Sequence, residues 1–193
     1  MMRSVTVGTA LAAILVAAFA ARADTDIEAR SKGSLAVIKQ FGGSLKAELK
    51  GAMQASGPVG AIQVCSEKAP AIAARHGEET GWDIGRTSLK YRNPNNAPDD
   101  WERAVLQSFE RRKAAGEDVT KMVHAEFTEW EGRKVFRYMK AIPTDEICLN
   151  CHGGDTVKPE VAAKLAEFYP DDQARGFSVG DIRGAFTIVQ PVE

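Results

Sequence analysis

The stretch Ile147-Cys148-Leu149-Asn150-Cys151-His152-Gly153-Gly154 contains the spacing C-x-x-C-H, the attachment signature of c-type haem. The spacing has a chemical reason. Haem carries vinyl groups on adjacent pyrroles, and two thiols a few residues apart can each form a thioether with one. The histidine directly after the second thiol then lies beneath the ring, where its imidazole can bind iron. Gly153 and Gly154 are expected to let the backbone pass close to the porphyrin face, because glycine lacks a Cβ.

Three other chemistries compete for these residues. A redox-active C-x-x-C needs a βαβ setting, which the element order below does not provide. A zinc site from Cys65, Cys148, Cys151 and His152 has an acceptable ligand set, but adjacent Cys151 and His152 make joint tetrahedral ligation awkward. A plain disulfide between Cys148 and Cys151 is the third.

The first 23 residues favour haem. Arg3 is followed by an uncharged, mostly apolar run from Val5 to Ala20 and then by Ala21-Arg22-Ala23. That is the pattern of a secretory signal peptide cut after Ala23, leaving one haem-binding domain over residues 24–193 and predicting a periplasmic protein. Haem c is assembled on the outer side of the bacterial inner membrane, so motif and export signal agree. A retained anchor is the competing reading, but the apolar run is short for a span, which needs about 20 residues. Export also makes an odd count of three cysteines informative, since one thiol must stay unpaired. Losing residues 1–23 removes Arg3 and Arg22 and no acid, so the formal charge moves from −1 to −3. That balance argues against a nucleic-acid partner.

A second axial ligand has six candidates: Cys65, Met53, Met122, Met139, His76 and His124. Each has an ordinary reading too. Methionines fill cores, His124 can face solvent from a strand, and Cys65 can be a small buried hydrophobe. Cys65 ranks first as the unpaired thiol. A thiolate on ferric iron would stabilise the oxidised state.

These residues need elements to hold them. Ile38, Phe41, Leu45 and Leu49 step by three and four, marking a helix from about residue 27 to 53. Gly57-Pro58 breaks the chain and opens a second helix, whose face carries Ile62, Cys65, Ala69 and Ile72 and which is expected to kink or restart at Pro70. Residues 82–89 read as a strand and 93–98 as a loop. Pro98, Asp99 and Asp100 open a helix with Trp101, Val105 and Phe109 on its apolar stripe, ended by Gly116. Residues 119–130 and 134–142 alternate as strands turned at Glu131-Gly132, with Phe136, Tyr138 and Ile142 on one face and Lys140 the exception. A short helix over 158–168 and a strand over 181–192 complete an α+β pattern, an antiparallel sheet with helices packed on it. Trp82, Trp101 and Phe186 read as core rather than cofactor wall.

Four stretches carry a resemblance. They are Val64-Cys65-Ser66-Glu67-Lys68-Ala69-Pro70, Gly85-Arg86-Thr87-Ser88-Leu89-Lys90-Tyr91-Arg92-Asn93-Pro94-Asn95-Asn96, Cys148-Leu149-Asn150-Cys151-His152-Gly153 and Gly180-Asp181-Ile182-Arg183-Gly184-Ala185-Phe186. In order, and over nearly all of the mature chain, they resemble a family of bacterial single-haem domains with a PAS-like fold, the cyanobacterial Tll-type c-haem proteins. The family includes secreted proteins and the outer halves of sensor kinases, and this chain looks like the secreted form. The resemblance implies a PAS-like antiparallel sheet beside long N-terminal helices, one covalent haem c, and Cys65 with His152 as axial ligands. Haem propionates need cationic partners, and Arg86 and Arg92 in the matching block are the first choices, with Lys90, Asn93 and Arg183 behind them. The expected function is an electron carrier or redox sensor with an unidentified redox partner. A gas sensor in which the Cys65–iron bond is displaced is the alternative, and a haem peroxidase using His76 or His124 is the third reading.

Overall fold

The computed structural model describes the backbone of residues 8–192 and the side chains of residues 26–192 except that of residue 64; the side chains of the expected signal segment, residues 1–23, lie outside it. A long helix, α1 (Gly8–Thr80), is broken at Gly57, whose φ of 66° and ψ of −171° are not helical. Positive φ suits glycine, and Pro58 follows in the first turn of the second arm, where its missing N–H costs no helical bond. The expected break at Pro70 does not occur. Backbone angles stay helical there, so the arm absorbs the one hydrogen bond that Pro70 cannot donate. Among the described residues no helix is long and apolar enough to cross a membrane.

Then follow β1 (Asp83–Thr87), α2 (Asp100–Ala114), β2 (Val123–Trp130), β3 (Arg133–Pro143), a four-residue helix α3 (Leu149–His152), α4 (Pro159–Phe168) and β4 (Ile182–Pro191). The strands form one antiparallel sheet in the order β1-β4-β3-β2. Here the boundary expected at Val119 moves. Asp118 caps a 3-10 turn over Val119–Lys121 by accepting from the Thr120 N–H, and pairing begins only at Val123. The β2–β3 turn is where expected, with Glu131 and Gly132 both at positive φ, the conformation that matches the twist of a tight hairpin.

Both faces of the sheet are covered. On one, Val37, Ile38, Phe41 and Ile72 of α1 pack on Ile84, Phe136, Tyr138 and Ile188. On the other, Val105, Leu106 and Phe109 of α2 pack on Met122, Met139, Ala141 and Ala185. Phe109, Met122, Phe136 and Met139 are wholly shielded from solvent. Trp82 and Phe186 join the first cluster and Trp101 the second, as core side chains.

The helix α2 is capped by a reciprocal pair. The Asp99 carboxylate accepts from the Glu102 N–H at 2.7 Å, and the Glu102 side chain accepts from the Asp99 N–H at 3.2 Å. The same carboxylates hold Arg137 of β3, at 2.8 and 3.3 Å, while its guanidinium lies 4.1 Å from the Trp101 ring centroid. A third, smaller cluster joins Ile62 of the second arm to Val161 and Leu165 of α4, with Cys151, Phe168 and Tyr169 against it. This third cluster lies beside the attachment motif.

Candidate haem site

The short helix α3 presents the motif. Asn150 closes it by donating from its side-chain amide to the Ile147 carbonyl at 3.0 Å. Gly153 ends it, and a Cβ there would come within 2.6 Å of Thr156 Oγ1 and 2.8 Å of the Leu149 carbonyl oxygen. Glycine is therefore required by the motif's own tight exit, a reason different from the expected approach to a porphyrin. The segment after α4 then folds back on the motif. The Gly176 N–H donates to the Gly153 carbonyl and the Phe177 N–H to the His152 carbonyl, both at 3.0 Å.

This fold-back fixes His152. Its Nδ1 lies 2.9 Å from the Ala174 carbonyl oxygen. A carbonyl can only accept, so Nδ1 carries the proton and Nε2 keeps its lone pair. Burial, reinforced by the Arg183 and Arg92 guanidiniums, holds the imidazole well below its usual pKa despite the bond to Ala174. A neutral ring with a fixed Nδ1–H and a lone pair on Nε2, which here lies 3.5 Å from Arg92 Nη1, is the form a metal takes. The Phe177 ring stands edge-on to it, with centroids 6.2 Å apart.

Cys65 belongs to the same neighbourhood. Its residue is exposed, yet enough protein surrounds it that burial raises the thiol pKa, while Arg86 and Arg92 pull it down. Cys151 feels burial first, then Arg92 and Cys65. All three cysteines are free thiols. The other axial candidates lie elsewhere or show no link to the motif. Met122 and Met139 are sealed under α2. His76 pairs with Glu79 at 3.2 Å and packs on Phe41, and His124 pairs with Glu126 at 3.2 Å beside Trp101. Met53 is half-buried on the first arm, before the break at Gly57. Among the described residues no group of three His, Cys, Asp or Glu side chains is placed to hold a metal ion alone.

Four arginines complete the site. Arg86 is half-buried, and among the described residues its guanidinium has neither a carboxylate nor a hydrogen-bond partner; burial lowers its pKa, with Cys65 and Tyr169 opposing. Arg183 is pulled down to about 10 by burial and by the Arg92 and Arg86 charges. It donates to Ser88 Oγ at 3.2 Å and the Lys90 carbonyl at 3.3 Å, over the Phe177 ring. Arg92 is differently placed: its Nε donates to Asp172 at 3.1 Å and its Nη2 to the carbonyls of Cys151 at 2.6 Å and Ala174 at 3.2 Å. Arg175 shares Asp172, at 2.7 Å. Lys90 spends its ammonium on the Arg175 carbonyl and the Phe177 ring, and Asn93 on capping the turn at Pro94. Gly184 makes this crossing possible, since at φ 155° a Cβ would run into the Thr87 carbonyl.

The donor set fits a haem. It offers two thiols at vinyl spacing, a neutral imidazole whose Nε2 keeps its lone pair, and a third thiol nearby. Guanidiniums that lack anions would suit its carboxylates. Arg92 and its partner Asp172 are what the motif alone could not reveal. A cavity of about 450 Å³ at the far end of the sheet, lined by Trp130, Lys134 and Val189 among others, includes none of these residues.

Sequence comparison places the chain in a class. The model of the Tll0287-like family matches residues 11–191, and the chain belongs to that family. Among solved structures it is similar to the cyanobacterial heme-protein Tll0287, with a TM-score of 0.63 and 24% identity over 83% of this chain and 96% of that one. The α+β fold is therefore shared. No match is found among curated proteins.

Proposed function

We propose that this chain is an exported, single-haem c-type cytochrome of the periplasm that works by one-electron exchange, as a carrier or a redox sensor. The observation that carries the reading is His152, held neutral by burial and oriented by Ala174, directly after the Cys148–Cys151 pair. The family and the similarity to a heme-protein support it. When bound, haem supplies an iron that cycles between ferric and ferrous states. Cys148 and Cys151 would hold it by thioethers, and His152 with Cys65 would be its axial ligands. Arg86, with Arg183 beside it, is the first guanidinium for a propionate, whereas Arg92 has Nε and Nη2 committed to protein oxygens and only Nη1 to offer. Two such ligands on the iron would suit electron exchange over peroxide chemistry.

A second reading, a small-ligand sensor, is favoured by the place of Cys65 on the arm beyond the Gly57 break. Binding of carbon monoxide or nitric oxide to the reduced protein separates the two. The haem itself is tested by denaturing mass measurement of chain exported from cells competent in haem attachment. One covalent haem per chain, lost when Cys148 and Cys151 are both changed to Ala, supports the reading; wild-type chain at the bare polypeptide mass rejects it.

A further inference from the structure

Behind His152 lies an ion pair that haem attachment does not require. Arg92 and Asp172 side chains are only 11% and 6% exposed, with Nε 3.1 Å from Oδ1. The carboxylate is fully used, since Oδ1 also accepts the Ala174 N–H at 2.9 Å and Oδ2 takes Arg175 at 2.7 Å. The guanidinium meanwhile reaches the Ala174 carbonyl at 3.2 Å, the oxygen that also accepts His152 Nδ1–H at 2.9 Å. One carbonyl thus serves the ring and the guanidinium together. Of the four arginines here, Arg92 and Arg175 pair with a carboxylate, and among the described residues that carboxylate is Asp172 in both cases.

Resting on the haem reading above, we propose that the Arg92–Asp172 pair sets the reduction potential, acting on His152 through the shared Ala174 carbonyl and on the iron through charge. The physics gives the sign. A carbonyl that accepts strongly from Nδ1–H makes the imidazole a more basic ligand, and a more basic ligand favours ferric iron. A guanidinium on the same oxygen draws off part of that accepting power. It also places a positive charge beside the ligand in a shielded setting, where charge is felt strongly, and this too favours ferrous iron. Both effects of Arg92 raise the potential. Asp172 opposes the second, cancelling one of the cations around the ring. The exchange is one electron between the iron and an outside donor or acceptor, and no bond of the protein forms or breaks.

Arg92 Nη1 comes within 3.5 Å of His152 Nε2. An iron on Nε2 contests that contact alone, because the bonds to Asp172, Cys151 and Ala174 use Nε and Nη2. Arg92 and Asp172 are positioning residues, and their test must separate tuning from mere support of the 172–177 segment. Spectroelectrochemical titration of haem-loaded protein does so. Arg92→Gln is expected to lower the potential and Asp172→Asn to raise it, with the double variant between them and Arg92→Lys closer to wild type than Arg92→Gln. Loosening of the segment would instead move both single variants the same way. Shifts of the same sign, or none, in variants that carry covalent haem would overturn the proposal while leaving the haem reading intact. A wild-type chain without covalent haem would overturn both. Should Arg92→Gln fail to mature, Asp172→Asn still decides: a raised potential supports the proposal, and a lowered or unchanged one overturns it.

Discussion

Arg137 on β3 and the four arginines around the motif, none of them fully exposed, are treated in opposite ways. Arg137, 3% exposed, is met by Asp99 and Glu102 and by the Trp101 ring, so its charge and packing are satisfied within the protein, while its Nε alone has no partner among the described residues. At the motif, among the described residues, Asp172 is the one carboxylate paired to the four arginines, and it serves only Arg92 and Arg175, while Arg86 and Arg183 repel one another in a setting that disfavours their charge. Burying unpaired cations is costly. The first set is what a fold does for itself. The second is what a protein does when something anionic is expected, and a haem with two propionates is such a thing.

The comparison breaks most clearly at its satisfied end. Arg137→Ala strands a nearly buried Glu102 carboxylate, and removing one partner of such a pair costs about 3–5 kcal/mol. Asp99 is 40% exposed and recovers part of that in water, so the loss should fall at the low end in a urea titration. A loss well under 1 kcal/mol would mean the pair is idle. The unsatisfied end predicts the reverse sign. Arg86→Met should leave the haem-free chain no less stable, and more stable by up to about 1 kcal/mol, because an unmet, half-buried charge is replaced by apolar volume. In the haem-loaded chain the same change should destabilise. Equal effects in both forms would remove Arg86 from the propionates. Asp99→Ala tests the cap and is expected to cost about 1 kcal/mol, with Asp99→Asn recovering most of it.

The smallest effect lies in acid. Hydrogen bonding to Lys113 holds Asp181 below the usual carboxylate range, helped by the Ser178 N–H. A carboxylate with a depressed folded pKa contributes stability above its unfolded pKa and loses it as pH falls through the folded value. The contribution is therefore intact above about pH 4 and disappears below it. Asp181→Asn should flatten the acid limb of the stability profile in that window only, read as thermal midpoint against pH.

Much of this was legible in the sequence because the signals were local. The C-x-x-C-H spacing, the Gly57-Pro58 break, the acids opening α2 and the Glu131-Gly132 turn each depend on a few adjacent residues. Pro70 misled because a lost hydrogen bond does not compel a break when packing holds the arm, here through Ala69 and Ile72. Residues 119–122 alternate like a strand but turn because Asp118 offers its carboxylate to the backbone. The role of Arg92 was hidden for another reason. Its matched block suggested a propionate, and only the fold-back of residues 172–177, some eighty positions away, shows Nε and Nη2 engaged by Asp172 and two carbonyls, with Nη1 still outside those bonds. Gly153 likewise stood in a motif whose chemistry offered a reason, while the structure supplies a different one.

The central claim is that Cys65 and His152 flank one covalently held iron. Oxidised and reduced absorption spectra of exported wild-type protein beside Cys65→Ala test it most directly. The account predicts a low-spin c-type spectrum in the wild type, and in Cys65→Ala a haem still covalently attached but with a changed spin state or a raised potential. An identical spectrum and potential in Cys65→Ala would take Cys65 off the iron, and a colourless wild-type chain from cells competent in haem attachment would contradict the account at its root.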